Sequence, residues 1–237
     1  MPDPHSQPGS DPFDTRRMAL QIWLSPAFPV GSFAYSHGLE WAAGARRIRD
    51  GVTAGSWLAD LVSHGALRND AILLSVASRA AGHGDWAVLS EANELALALA
   101  GSRERLLETV TQGNAFQRAI AGAWQNAGTT AASDALAGDT AYPVAVGAAC
   151  AAYGIPTRDA LRAFLAAATG NLTSALVRLA VIGQSDAQRV IAGLLPLLET
   201  LACEAERAEL DDIGGAAFVS DIAALAHETQ DTRLFRS

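Results

Sequence analysis

Aromatic residues make up only 6% of this 237-residue chain, charged residues 18%, and there are two cysteines. Each shortage excludes something. Few aromatics beside abundant alanine, as in ANELALALA at 92–100 and AFLAAATG at 163–170, favour close packing of helices over sheets. Cys150 and Cys203 lie in apolar helical patterns without a CxxC partner, which argues against a disulfide framework and predicts two buried thiols in a reducing compartment. No two of the five histidines, His5, His37, His64, His83 and His227, have the i, i+4 spacing that places two metal ligands on one helix face. His227-Glu228 opens like a zinc-protease motif but continues Thr-Gln-Asp. A formal charge of −8 disfavours nucleic acid or an anionic membrane as main partner, since both require a basic face. Arg46, Arg47 and Arg49 form the one local basic exception. No apolar run reaches the length of a membrane span. The first fourteen residues, MPDPHSQPGSDPFD, lack an apolar signal-peptide core and read as a disordered arm.

Helical periodicity runs through residues 15–226, and strand signals are nearly missing. The expectation is an all-α fold: a disordered arm over 1–14, a single-domain bundle of about eight to ten helices over 15–227, and a C-terminal tail over 228–237. The first helix is expected at 15–24, with Asp14 as N-cap and Ser25-Pro26 as stop. Others are expected at 32–45, 53–67, 69–81, 84–100 and 102–125, with starts at Thr53, Asn69, Asp85 and Ser102. The polar stretch 126–140 reads as a loop with one helical turn. Pro143 opens a helix ending near Tyr153. The pattern from Thr157 invites a kink at Gly170-Asn171, and Pro196 should bend the helix from Ser185 near Ala192.

The richest stretch for chemistry is 25–43, SPAFPVGSFAYSHGLEWAA. Ala34-Tyr35-Ser36-His37-Gly38 could be a relaxed nucleophile elbow, but that motif needs a preceding strand, and Pro26 and Pro29 each remove a ladder donor. A phosphate cradle at Gly31 and Gly38 lacks the Lys-Ser/Thr ending and has Glu40 in its place. The better reading is a proline-containing turn leading into a helix near Ser32, with Gly38 admitting another backbone. At the other end, ETQDTRLFRS sets two arginines around Leu234 and Phe235. This composition suits a segment that folds onto a partner, with Phe235 in a pocket and Arg233 or Arg236 pairing with acids.

Four stretches in order carry a family resemblance. In LSPAFPVGSFAYSHGLE at 24–40, the residues Ser25, Pro29, Gly31, Phe33, Ser36, Gly38, Leu39 and Glu40 match a Ser-x-x-x-Pro-x-Gly-x-Phe-x-x-Ser-x-Gly-Leu-Glu pattern. Ser102-Arg103-Glu104 with Gly113, VRLAVIGQSDAQ at 177–188 and HETQDTRLFRS at 227–237 complete the set. Together they resemble the urease accessory protein F (UreF) family. Tyr142, Ala187 and Asp231-Thr232 depart from it, so a histidine role in metal handling near Tyr142 does not carry over. The resemblance implies an all-helical cytoplasmic homodimer without chemistry of its own. It implies binding to accessory protein D (H in some organisms) and recruitment of the GTPase accessory protein G, so that nickel reaches the urease apoprotein. The residues assigned to partner binding are Ser25, Pro29, Gly31, Ser36, Gly38 and Glu40 with Arg233, Leu234, Phe235 and Arg236; no catalytic residue, metal ligand or cofactor is assigned. The rival readings are a serine hydrolase using Ser36 and a nickel store, the second disfavoured by scattered His and Cys.

Overall fold

The segment YPVAVGAACAA has no polar face, and a helix apolar all round is stable only when neighbours enclose it. In a computed structural model of the protein, which describes residues 12–237, Pro143 to Cys150 are all buried. The described residues form eleven α-helices and two 3-10 turns. The helices are α1 (Pro12–Trp23), α2 (Leu39–Gly44), α3 (Gly51–His64), α4 (Ala66–His83), α5 (Trp86–Ala98), α6 (Arg103–Ala123), α7 (Ala127–Ala135), α8 (Tyr142–Ala152), α9 (Thr157–Arg178), α10 (Gln184–Ala205) and α11 (Phe218–His227). The 3-10 turns are Ser32–Ala34 and Leu210–Asp212. No strand occurs among the described residues.

The central helix α8 packs against α4 and α6. A Cβ at Gly147 would lie 2.3 Å from the Leu74 carbonyl oxygen, so only glycine permits this approach of α8 to α4. Around the core, α9 packs on α10, α10 on α3, and α11 on α2. One corner gathers several of the scarce aromatics: Trp23 meets Phe116, Trp124 and Tyr153 edge-on, with centroids 6.1, 5.6 and 4.9 Å away, an arrangement favoured by the ring quadrupoles. By length and composition α9 could cross a membrane. It serves here as a core helix, with Leu161, Phe164, Leu165, Leu172 and Leu176 buried and Arg158 and Arg162 paired with Glu206 and Glu199 of α10 or its end.

Several boundaries differ from the sequence expectation for local reasons. Of the expected 1–14 arm, residues 1–11 lie outside the described residues, and α1 begins at Pro12, so Asp14 sits within the helix instead of capping it. The 126–140 stretch holds the full helix α7, because Asn126 and Thr129 form a reciprocal capping box. The same device sets α3, where Asp50 is the N-cap and Thr53 the third residue. Asn69 starts no helix; α4 begins at Ala66, and the Asn69 amide oxygen accepts from Gly214 N–H at 3.2 Å. Asp85 and Ser102 do cap α5 and α6. Helix α9 continues through Gly170-Asn171 and α10 through Pro196. Cys150 is buried, its thiol pushed up to about 12 by burial. Cys203 is only partly buried and accepts from Arg158 Nη1 at 3.0 Å.

Candidate functional site

Ser25 ends α1, its hydroxyl donating to the Ile22 carbonyl at 2.8 Å. Phe28 and Val30 then enter the core while Pro29 stays exposed. The expected helix over 32–45 is instead a 3-10 turn, four irregular residues and α2. Gly31, at φ +74°, precedes the 3-10 turn, and no Ser32 hydroxyl cap forms. His37 (φ 54°) and Gly38 (φ 74°) are consecutive left-handed residues that turn the chain into α2. A Cβ at Gly38 would lie 2.7 Å from Ala224 N and 2.8 Å from the Ala223 carbonyl carbon. Gly38 therefore admits another backbone, as the sequence suggests, and that backbone is α11. From α9, Asn171 Nδ2 donates to the Ser32 carbonyl at 2.9 Å and Arg178 Nη1 to the Phe33 carbonyl at 2.6 Å.

The ending meets this turn directly. Ser36 N–H donates to the Ser237 carbonyl at 2.8 Å, the Ser36 hydroxyl donates to the same oxygen, and Arg236 N–H donates to the Ala34 carbonyl at 2.8 Å. Glu40 accepts from Leu234 N–H at 2.8 Å and Phe235 N–H at 2.9 Å. The expectation of a free tail whose Phe235 awaits a partner pocket is therefore corrected: Phe235 is 4% exposed within its own chain, with the Arg178 guanidinium 4.4 Å over its ring. Leu234 is 65% exposed, as is Phe33. Arg233 pairs with Glu104 at 2.7 Å, and Arg236 is exposed. Of the residues assigned to partner binding, Arg233, Leu234, Arg236 and Pro29 face outward; Ser36, Gly38 and Phe235 are internal; Ser25, Gly31 and Glu40 are half-buried.

Two polar clusters underlie the junction. In the first, His227, fully buried, places Nδ1 2.7 Å from Glu104 Oε2 and Nε2 3.3 Å from Glu40 Oε2. In the second, Glu108 contacts His37 Nε2 at 2.9 Å and Arg105 Nη1 at 2.6 Å, and accepts from the Ser237 hydroxyl at 3.1 Å. Burial would raise the Glu108 carboxyl, but Arg105 and then His37 overcome it and hold it down at about 2. Asp70, 3.7 Å from Arg105, is raised because burial outweighs that pull. His37, Asp70 and Arg105 line both of two cavities, of about 240 and 400 Å³.

Sequence reasoning missed Glu108, Arg105 and His227 as partners of the motif residues. A signal existed: Glu104, Glu108 and Gln112 recur every four residues and so share one face of α6, and Glu108 and Gln112 are buried. The serine-hydrolase reading fares poorly, since the Ser36 hydroxyl is fully buried, donates to a main-chain carbonyl, and follows a 3-10 turn where the motif needs a strand. Among the described residues, no three His, Cys, Asp or Glu side chains group to hold a metal.

The fold and junction define an all-α protein whose internal acids, histidines and arginines at this site bond mainly to one another and to the chain's own ending. Comparison with known proteins carries this further. The UreF family model matches residues 48–195, more than half of the sequence. Urease accessory protein UreF of Xanthobacter autotrophicus is 51% identical over 93% of this chain and 90% of its own length. That of Methylobacterium sp. (strain 4-46) is 50% identical over 93% and 88%, and that of Rhodopseudomonas palustris (strain HaA2) is 46% identical over the full length of both. The chain belongs to the UreF family of urease accessory proteins.

Proposed function

We infer that this chain is a non-catalytic adaptor of urease maturation: a soluble cytoplasmic homodimer that binds accessory protein D (or H) and brings in the GTPase accessory protein G, so that nickel reaches the urease apoprotein. Modulation of nucleotide turnover by the G protein belongs to the same reading. Family membership and the name carried by the relatives support it. The observation that carries it is the junction itself. The stretches 24–40 and 227–237, which carry most of the family pattern, are hydrogen-bonded to one another. They leave Phe33 and Leu234 exposed, with Arg236 bonded through its backbone to the residue after Phe33. Apolar side chains beside arginine are typical interface anchors.

The test is a pull-down of accessory proteins D and G, each alone and then together, by the full chain and by Leu234→Asp, with light scattering for the mass. The full chain should behave as a dimer, retain D, and retain G at least in the presence of D. Leu234→Asp should bind D at least tenfold more weakly, about 1.4 kcal/mol, with an unchanged melting temperature because Leu234 is exposed. Undiminished binding by Leu234→Asp would remove this surface from the contact. Failure of the full chain to retain either protein at micromolar concentration would remove the adaptor reading.

A further inference from the structure

His227 is the one fully buried imidazole among the described residues, and it meets a carboxylate at each ring nitrogen: Glu104 of α6 at 2.7 Å and Glu40 of α2 at 3.3 Å. Ionised carboxylates only accept hydrogen bonds, and a neutral imidazole has only one N–H to give. Both contacts can be hydrogen bonds together only if the ring is an imidazolium. Those two carboxylates also hold the ending. Glu40 accepts from the backbone N–H groups of Leu234 and Phe235, and Glu104 pairs with Arg233. With His227 protonated, two cations face two anions. Without that proton, the cluster carries an uncompensated buried negative charge, and one ring lone pair opposes a carboxylate, an arrangement that is costly out of water.

We propose that His227 is a protonation-controlled latch for the C-terminal segment, holding residues 233–237 docked as an imidazolium and loosening them when it loses its proton. The sign follows from which form binds: while the carboxylates stay ionised, the docked state keeps the imidazole proton, so docking weakens as pH rises. The other charged groups around the latch do not remove this dependence. At the end of α11, Glu228 accepts from the N–H groups of Arg103 and Glu104 at the start of α6, and on α11 the Asp221 carboxyl is raised by burial against the pull of Arg105. The neighbouring Glu108 touches Ser237 and is flanked by Arg105 and His37, with Asp70 beyond. His37 is thus a second imidazole linked to the ending through Glu108, and the experiment must separate the two.

Hydrogen exchange of the Leu234 and Phe235 amides in the full chain reads docking directly, because Glu40 protects both. Protection, taken relative to the intrinsic rate at each pH, should fall at least tenfold between about pH 5.5 and about pH 9, the range in which an imidazole titrates and carboxylates stay ionised. The far-UV circular dichroism should stay constant. In His227→Gln the profile should be flat, and in His37→Gln the fall should persist. Constant protection in the unmodified chain, persistence of the fall in His227→Gln, or its disappearance in His37→Gln would each overturn the latch. Should His227→Gln not fold, nuclear magnetic resonance of the His227 ring in the unmodified chain decides: the ring must titrate over the interval in which protection is lost, and a ring that holds one state there refutes the proposal.

Discussion

Replacing Phe235 by alanine tests whether the ending belongs to the folded core. The ring is 4% exposed, and burying a phenylalanine side chain contributes about 1.5–3 kcal/mol. The Arg178 guanidinium over its face adds about 0.5–1 kcal/mol. Together these give an expected loss of about 2–4 kcal/mol. The loss cannot exceed the free energy that docks the segment, because a weakened ending can detach without unfolding the bundle. For a domain of this size each kcal/mol moves the melting temperature by roughly 2–4 °C, so Phe235→Ala should melt roughly 4–16 °C lower in a thermal scan followed at 222 nm (~the α-helical band). Leu234→Ala is the internal control: at 65% exposure it should change stability by no more than about 0.5 kcal/mol. If Phe235→Ala melts together with the unmodified chain, the ring is not in the core in solution. The hydrogen bonds from Leu234, Phe235 and Arg236 to Glu40 and Ala34 would then fall with it.

Most elements were legible because helix starts obey local chemistry. Ser102 and Asp85 cap where a short polar side chain precedes an apolar period, and α8 opens with proline in its first turn. The misses at Thr53 and in α7 share one cause. In each a threonine three residues after the N-cap returns a hydrogen bond to it, a capping box closed by Thr in the place of Glu or Gln. At Gly170-Asn171, where the sequence invites a kink, the helix is unbroken, and Asn171 donates from within it to the Ser32 carbonyl. At the site, the role of Gly38 could be read from its chemistry, since a glycine beside a helix start signals close approach. The junction could not. Glu40 and Phe235 are separated by almost the whole chain, and no local pattern states that the carboxylate of one accepts from the backbone of the other. What the sequence did offer was the four-residue recurrence of Glu104, Glu108 and Gln112, polar groups on an inward face that need partners from elsewhere.

Two further outcomes separate the causes argued above. Gly38→Ala must hold a left-handed φ, roughly 1–2 kcal/mol, and also force apart α2 and α11, roughly 1–3 kcal/mol more. Gly31→Ala has the same φ but no atom within 4 Å of the new Cβ, so it should cost only the first amount, and equal losses in urea melts would show that the close approach is not what Gly38 provides. The last outcome concerns acid. Glu108 has its carboxyl lowered from 4.5 to about 2 in the folded chain, where Arg105 and His37 outweigh the burial that would raise it. A group lowered on folding contributes stability that is present above its unfolded value and lost as pH falls through the folded one, so the loss should set in below about 4.5 and continue toward about 2. Asp70 works in the opposite sense: burial raises its carboxyl, and protonation relieves that penalty, which makes the net loss smaller than Glu108 alone would give. Urea midpoints at about pH 6 and about pH 3, on either side of the ordinary carboxylate range, should therefore diverge more for the unmodified chain than for Glu108→Gln, which has no proton to take up. Parallel loss of stability in the two proteins would mean that the acid sensitivity resides in other carboxylates, and that the ion pair of Glu108 with Arg105 is not what holds this corner of the bundle together.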